Sequence, residues 1–265
     1  MQKSLPKGDK KLIRAWAFYD WANSVYSLVI SSAVFPIFYG ALTVIKDDEG
    51  NVINDRVDFL GITFNNDALI SYVTALAFII ISIMSPFLSG IADYLGNKKS
   101  FMKFFNYLGA LGCIGLYWFS LDFLWFGLLS YLMGLIGFWG SIVFYNSYLP
   151  DIAYKDQQDY ASSLGFSLGY IGSIILLVIC LIMILNYETF GFSSESVPTR
   201  WSFILTGIWW IGFSQYTYSI IPKSNKKTIE GQNYLFNGFR ELKTVYKKIK
   251  QNPYLEKYLT AFFIY

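Results

Sequence analysis

Four polar residues fall on one line of the first apolar stretch of the chain: Asp20, Asn23, Ser27 and Ser31 stand at i, i+3, i+7 and i+11, the spacing of one helix face. A carboxylate, a carboxamide and two hydroxyls in a row can take up a proton, hold a cation or hydrogen-bond a small polar solute. Lipid cannot solvate such groups, so a polar stripe on an apolar helix faces protein or a water-filled path. Asp20, Asn23 and Ser27 are therefore candidates for a substrate or ion path. The plain alternative for Asp20 is a helix-end carboxylate among lipid headgroups. Two further path candidates, Tyr145 and Asn146, stand in the run Phe144-Tyr145-Asn146-Ser147-Tyr148-Leu149-Pro150-Asp151. Tyr145 and Tyr148 also suit an interfacial aromatic belt, as do Trp201 and Tyr218.

What is missing narrows the chemistry. The 265 residues include no histidine, which excludes imidazole metal sites, Ser-His-Asp triads and histidine proton relays. Cys113 and Cys180 each lie inside an apolar window and read as small core residues rather than as a disulfide or metal pair. Gly96-Asn97-Lys98-Lys99-Ser100 lacks the spacing of an ATP-hydrolysing phosphate loop. Neither a nucleophile nor paired carboxylates at one depth are visible, so no enzyme, cofactor or metal is expected. The acidic residues Asp47, Asp48, Glu49, Asp55 and Asp58 do not follow the calcium-loop spacing and read as a solvated outer loop.

The elements that must position these groups emerge when the chain is divided at its charges. Charge-free windows run over Trp21–Ile45, Ala68–Ala92, Phe104–Leu121, Phe123–Pro150, Tyr160–Tyr187 and Trp201–Pro222, together 146 of the 265 residues. A membrane-spanning helix needs about 20 apolar residues, and only 15% of the chain is charged against about 25% in a soluble domain. The expected class is an all-α polytopic membrane protein with six spans. Lysine and arginine number 18 in the segments on one side and 3 on the other, so the N-terminus and the stretch after the sixth span are expected in the cytoplasm. Ser71, Thr74, Ser82, Ser85 and Ser89 share a face of the second helix and read as packing contacts, with Pro86 able to kink it. In the fifth helix Ala161, Gly165, Gly169 and Ser173 repeat every four residues, with Gly172 alongside, which predicts close backbone contact.

Beyond Pro222 the composition changes. Leu235, Phe239, Leu242, Tyr246 and Ile249 recur at helical spacing among Arg240, Lys243, Lys247, Lys248 and Lys250, an amphipathic basic helix suited to an anionic inner leaflet rather than to nucleic acid. Pro253 ends it, and Tyr254–Tyr265 reads as the start of a seventh span. The expected division is a six-helix bundle over 1–222, a cytoplasmic linker over 223–253 and a truncated seventh helix over 254–265.

The turn between the second and third helices, Ser89-Gly90-Ile91-Ala92-Asp93-Tyr94-Leu95-Gly96-Asn97-Lys98-Lys99, resembles the loop signature G-x-L-A-D-x-x-G-R-[KR] of the major facilitator superfamily. Asp93, Gly96 and Lys98 match in register, while Ser89 replaces a glycine and Asn97 an arginine. Arg14-Ala15-Trp16-Ala17-Phe18-Tyr19-Asp20-Trp21-Ala22-Asn23-Ser24 is similar to the opening of the vacuole-effluxer-like branch, related to autophagic vacuolar amino-acid exporters. The segments 145–153, 162–170 and 238–265 resemble that branch too. The resemblance implies the N-terminal half of a twelve-helix transporter working by alternating access on a small solute, with amino-acid efflux the implied activity; a carboxylate such as Asp20 beside the path suits coupling to a proton. The resemblance also implies a gate at Asp93, Gly96, Lys98 and Lys99 that docks on a C-terminal bundle needed for function. It places the chain in a bacterial plasma membrane, or in the vacuolar membrane of a eukaryote. A complete six-helix structural or channel-like protein is the alternative.

Overall fold

The first helix begins where the Asp9 carboxylate accepts hydrogen bonds from the backbone N–H groups of Lys11 (2.8 Å) and Leu12 (3.2 Å), the usual N-cap arrangement. In the computed structural model, which describes residues 5–95, 97–222, 244 and 246–264 (86, 89–95, 263 and 264 by backbone only), α1 (Lys10–Val25) continues through a π-helical segment (Tyr26–Val34) into α2 (Phe35–Thr43). The long helices that follow are α3 (Asn66–Leu95), α4 (Lys98–Gly115), α5 (Leu124–Ile152), α6 (Lys155–Leu185), α7 (Ser196–Ile220) and the shorter α8 (Pro253–Ile264). α3 runs on through Pro86 without a break. The chain is an all-α polytopic membrane protein.

Among the described residues, four runs are long and apolar enough to cross a membrane: Lys10–Thr43, Asn66–Ser85, Leu124–Ile152 and Lys155–Leu185. α4 and α7 fall short of that apolarity because polar residues dilute them. Several of those residues are turned inward: Asn106 of α4 and Ser202, Thr206, Ser214 and Thr217 of α7 are buried, whereas Gln215 and Ser219 of α7 are exposed. Asn106 Nδ2 donates to Ser214 Oγ at 3.1 Å, and Thr217 Oγ1 donates to the Ala15 carbonyl at 2.7 Å. These bonds satisfy polar groups that lipid could not.

Packing follows the small residues. α4 lies most closely along α5, α1 lies along α6, and α7 fills the space beside α4 and α1. At the α4–α5 crossing glycine faces glycine. A Cβ on Gly112 would stand 2.6 Å from the backbone N of Gly134 and the carbonyl of Ser130, and one on Gly137 would collide with the backbone of Gly109. The expected α6 ladder is also found against α1, with Ala161, Gly165, Gly169, Gly172 and Ser173 all buried. The second-helix serines behave differently. Thr74 Oγ1 lies 3.4 Å from the Tyr131 hydroxyl, but Ser71 and Ser82 of α3 are exposed. Packing within the chain explains only part of that face.

The outer loop is more ordered than its composition suggests. β1 (Ile45–Lys46) pairs antiparallel with β2 (Val52–Asn54), and β3 (Arg56–Phe59) with β4 (Ile62–Asn65). Asp47 closes the first hairpin by accepting from the backbone N–H groups of Glu49 and Asn51. The side-chain and backbone bonds from Asn51 hold its carboxyl below the usual carboxylate range. Leu60 (φ 53°) and Gly61 (φ 78°) make the two-residue turn of the second hairpin, where both central positions need positive φ.

Of the linker, residues 246–250 are helical, and most of its expected basic helix lies outside the described residues. Asn252 Oδ1 then accepts from the N–H groups of Tyr254 and Leu255, capping α8 one residue after Asn252, where the proline fits the first helical turn.

Candidate functional site

Asp20 stands in the middle of α1, half-buried, and points at the interface with α5 and α6. Two glycines make room for it. A Cβ on Gly165 would lie 2.5 Å from Asp20 Oδ2 and 2.9 Å from the Tyr145 hydroxyl, and one on Gly169 would lie 3.3 Å from Asp20 Cβ. The ladder on α6 therefore shapes the site as well as the packing.

Tyr145 on α5 is fixed on three sides. Its ring stacks on Trp16 at 4.2 Å between centroids and tilts against Tyr19 at 5.2 Å. Trp16 Nε1 donates to the Tyr145 carbonyl at 2.9 Å. With the ring held, the phenol donates to Asp20 Oδ2 at 2.9 Å. Among the described residues no lysine or arginine pairs with Asp20. The aromatic-belt reading of Tyr145, Tyr148 and Tyr218 is overturned: all three are buried in the bundle, since α1, α4, α5 and α7 enclose their rings. Trp201, by contrast, is 41% exposed.

A cavity of about 280 Å³ opens beside this pair, lined by Asp20, Asn23, Ser24 and Ser27 from the first helix and by Phe166 and Tyr170 from α6. Asn23 is buried and accepts from Ser141 Oγ at 3.3 Å. The stripe expected at Ser31 is displaced by one residue: Ser32 lines the cavity, and its hydroxyl donates to the Ser27 carbonyl at 2.9 Å. The cause is the π-helical turn over Tyr26–Val34, which adds a residue per turn and moves the cavity-facing position from i+4 to i+5. The structure thus brings Asp20, Asn23, Ser27 and Tyr145 together. Asn146 is exposed and does not line the cavity.

At the N-terminal end of α4, Lys98 is buried and its ammonium reaches Asp151 Oδ2 at 2.8 Å and the Ser147 carbonyl at 3.2 Å. Lys99 donates to the Ile221 carbonyl at 3.0 Å. Both lysines thus join α4 to the ends of α5 and α7. Gly96 and the side chain of Asp93 lie outside the described residues. The N-terminal segment closes over the same end: Lys7 donates to the Pro150 carbonyl (2.6 Å) and Gly8 N–H to the Ile152 carbonyl (2.8 Å), occupying acceptors that a helix end leaves open. Sequence reading missed Asp151 as the partner of Lys98, because 53 residues separate the two. It also missed Ser24, Ser32, Phe166 and Tyr170. The last two were legible as an i, i+4 aromatic pair within the glycine ladder.

Comparison with known proteins agrees with this architecture. Residues 8–265 match the family described as vacuole effluxer Atg22 like. The chain is 32% identical over 255 residues to an uncharacterized MFS-type transporter, YxiO, of Bacillus subtilis (strain 168), which covers 95% of this chain and 56% of the relative. It is 28% identical over 182 residues to an uncharacterized protein of Aquifex aeolicus (strain VF5), covering 67% of this chain and 40% of that one. To autophagy-related protein 22 of Coccidioides immitis (strain RS) it is 22% identical over 292 residues, covering 77% and 47%. The chain spans about half the length of the curated relatives it matches, and no solved structure matches it. The chain belongs to the vacuole effluxer Atg22-like family, a branch of the major facilitator superfamily.

Proposed function

We propose that the chain forms the first six-helix bundle of a secondary transporter that moves a small solute by alternating access, with the Asp20 cavity on the solute or ion path. The observation that carries this reading is a carboxylate with no cationic partner among the described residues, oriented by Tyr145 and open to a cavity lined also by Asn23, Ser24 and Ser27. Such a group is costly in a membrane unless it binds something there. The coverage of about half of each relative fits one bundle of two, with residues 1–222 as the bundle, 223–253 as linker and 254–265 as the start of a seventh span. The charge asymmetry supports a cytoplasmic N-terminus and linker. On this reading the Lys98–Asp151 and Lys99–Ile221 contacts hold the cytoplasmic end of the bundle as one unit, and Asp93 and Gly96 form its docking turn.

The relatives' transporter and effluxer names support efflux of a small solute, amino acids being the class that the resemblance implies. Uptake and export of a labelled amino-acid panel by a full-length protein carrying this bundle tests the proposal. Flux of one solute above that of empty vesicles is the expected result. No flux of any panel member in either direction, with the protein shown to be folded, contradicts it.

A further inference from the structure

At the end of the bundle opposite Lys98 lies a second cavity, of about 570 Å³, that shares no residue with the Asp20 cavity. Arg200, near the start of α7, lines it together with Ser120 of the α4–α5 turn and with Tyr117, Trp118, Phe123 and Trp125. An arginine is costly in an apolar span unless something holds it, and part of what holds this one is within the chain. Helix α4 closes in a 3-10 turn, Leu116–Trp118, and a helix end leaves carbonyls without donors. Arg200 Nη1 donates to the carbonyls of Tyr117 at 2.6 Å and Phe119 at 2.7 Å, and the guanidinium carbon stands 4.9 Å over the Phe38 ring. Those contacts use both Nη1 hydrogens and fix the plane of the group. Of the five N–H donors of an arginine, the one on Nε and the pair on Nη2 remain. Nε–H and the neighbouring Nη2 hydrogen form the side edge of the guanidinium, the fork that takes two oxygens of a phosphate. Asp122 and Glu195, the nearest carboxylates along the chain, neither line the cavity nor form an ion pair with Arg200.

The surroundings indicate which anion meets that edge. Trp118, Phe123 and Trp125 are each more than half exposed, where α4 ends and α5 begins, and tryptophan gathers at the headgroup level of a membrane. From there an apolar track leads along the bundle. Phe104, Leu111 and Trp118 are the exposed residues of α4 at seven-residue spacing, and Trp201 and Ile208 repeat the spacing on α7, so each set lies on one helix face. That surface suits an acyl chain and offers nothing polar to a second helical bundle. At about 30 Å³ per water, the cavity has room for roughly nineteen groups of that size, enough for a glycerophosphate head and the first methylenes of a chain.

We propose that this cavity is a phospholipid site, in which the free edge of Arg200 and the Ser120 hydroxyl hold the phosphate and an acyl chain lies along Trp118 and Leu111. Ser120 Oγ accepts from the Phe123 N–H at 3.3 Å, which leaves its own hydrogen to donate. The lipid completes the clasp that Arg200 begins between α7 and the end of α4.

The test is native mass spectrometry of the full chain in detergent, titrated with dioleoyl phosphatidylglycerol, dioleoylglycerol and glycerol 3-phosphate. The second probe lacks the phosphate and the third lacks the chains. One phosphatidylglycerol is expected to bind saturably and dioleoylglycerol at least about tenfold more weakly. Glycerol 3-phosphate should neither bind nor displace the lipid. Arg200→Gln should weaken phosphatidylglycerol by about 10- to 150-fold, the worth of a hydrogen bond to a charged group, and leave dioleoylglycerol unchanged. Lys103→Gln, toward the other end of α4, should leave both unchanged. Trp125→Ala keeps the Arg200 bonds in place and should weaken both lipids by the same factor, so it decides the matter even if Arg200→Gln does not fold. Dioleoylglycerol binding as tightly as phosphatidylglycerol, or unchanged lipid affinity in a folded Arg200→Gln or Trp125→Ala protein, overturns the proposal and leaves Arg200 as a clasp for the α4 carbonyls alone. Displacement of the lipid by glycerol 3-phosphate overturns the lipid assignment in favour of a free phosphate ester. Binding to this chain that is lost in a full-length protein carrying it also overturns the proposal, because Arg200 would then belong to the contact with the second bundle.

Discussion

Replacing Gly137 by alanine should separate α4 from α5. The added methyl would collide with Gly109 Cα and N and stand 2.6 Å from the Phe105 carbonyl. Carbon contacts are comfortable only at about 3.5–4.0 Å, so the backbones must part by about 1 Å along their closest crossing. Overpacking of this kind costs about 1–3 kcal/mol. The control is Gly212→Ala on α7, where a Cβ meets nothing within 4 Å. That change keeps the helix-propensity gain of alanine, about 0.4–1 kcal/mol, without a clash. At about 2–4 °C per kcal/mol, Gly137→Ala should lower the apparent Tm in detergent by about 2–12 °C, and Gly212→Ala should raise it by about 1–4 °C. Melting curves of the two variants decide the matter. If they coincide, α4 and α5 are not in backbone contact and the packing described above is wrong.

On α6, Gly169→Leu should destabilise the bundle more than Leu176→Ala, because its side chain would be driven into Ser24 and Asp20; similar melting temperatures would mean that this face of α6 is not against α1. Asp151→Asn should lower stability by about 1 kcal/mol, a modest loss because the Asp151 side chain is 47% exposed and its charge partly screened, and a double-mutant cycle with Lys98→Met should show coupling between the two. Both native cysteines are buried, so membrane-impermeant thiol labelling of whole cells should reach Asn51→Cys and spare Lys155→Cys. Labelling of both would contradict the proposed orientation.

The helices were legible because apolar windows between charges report directly on what lipid tolerates, and the α6 ladder because close backbone contact demands small residues every turn. The same logic was available for α4 and α5, where Gly109, Gly112 and Gly115 and then Gly134, Gly137 and Gly140 repeat every three residues. Asp20 and Asn23 could be aligned by arithmetic because the helix is regular up to Val25, and Ser27 falls in the first residues of the π-helical segment, before its offset is felt. Ser31 was misplaced because nothing in the composition of Tyr26–Val34 marks a π-helical register. Neither hairpin was read from the acidic segment 46–66; the turn of the second places Leu60, a residue that seldom adopts positive φ, ahead of Gly61. Tyr145 could be nominated from its segment, but not its role. Delivery of its hydroxyl to Asp20 depends on Trp16 and Tyr19 holding the ring, which is tertiary information.

Asp20→Asn tests the central claim most directly, because it keeps the size and hydrogen-bonding capacity of the side chain while removing its charge. The measurement is solute flux into proteoliposomes, with and without an imposed proton gradient, for a full-length protein carrying this bundle. The Asn variant should insert, fold and melt like the unmodified protein, since Tyr145 can still donate to the amide oxygen, yet show no gradient-driven flux. Flux at the unmodified rate would remove Asp20 from the path and contradict the account.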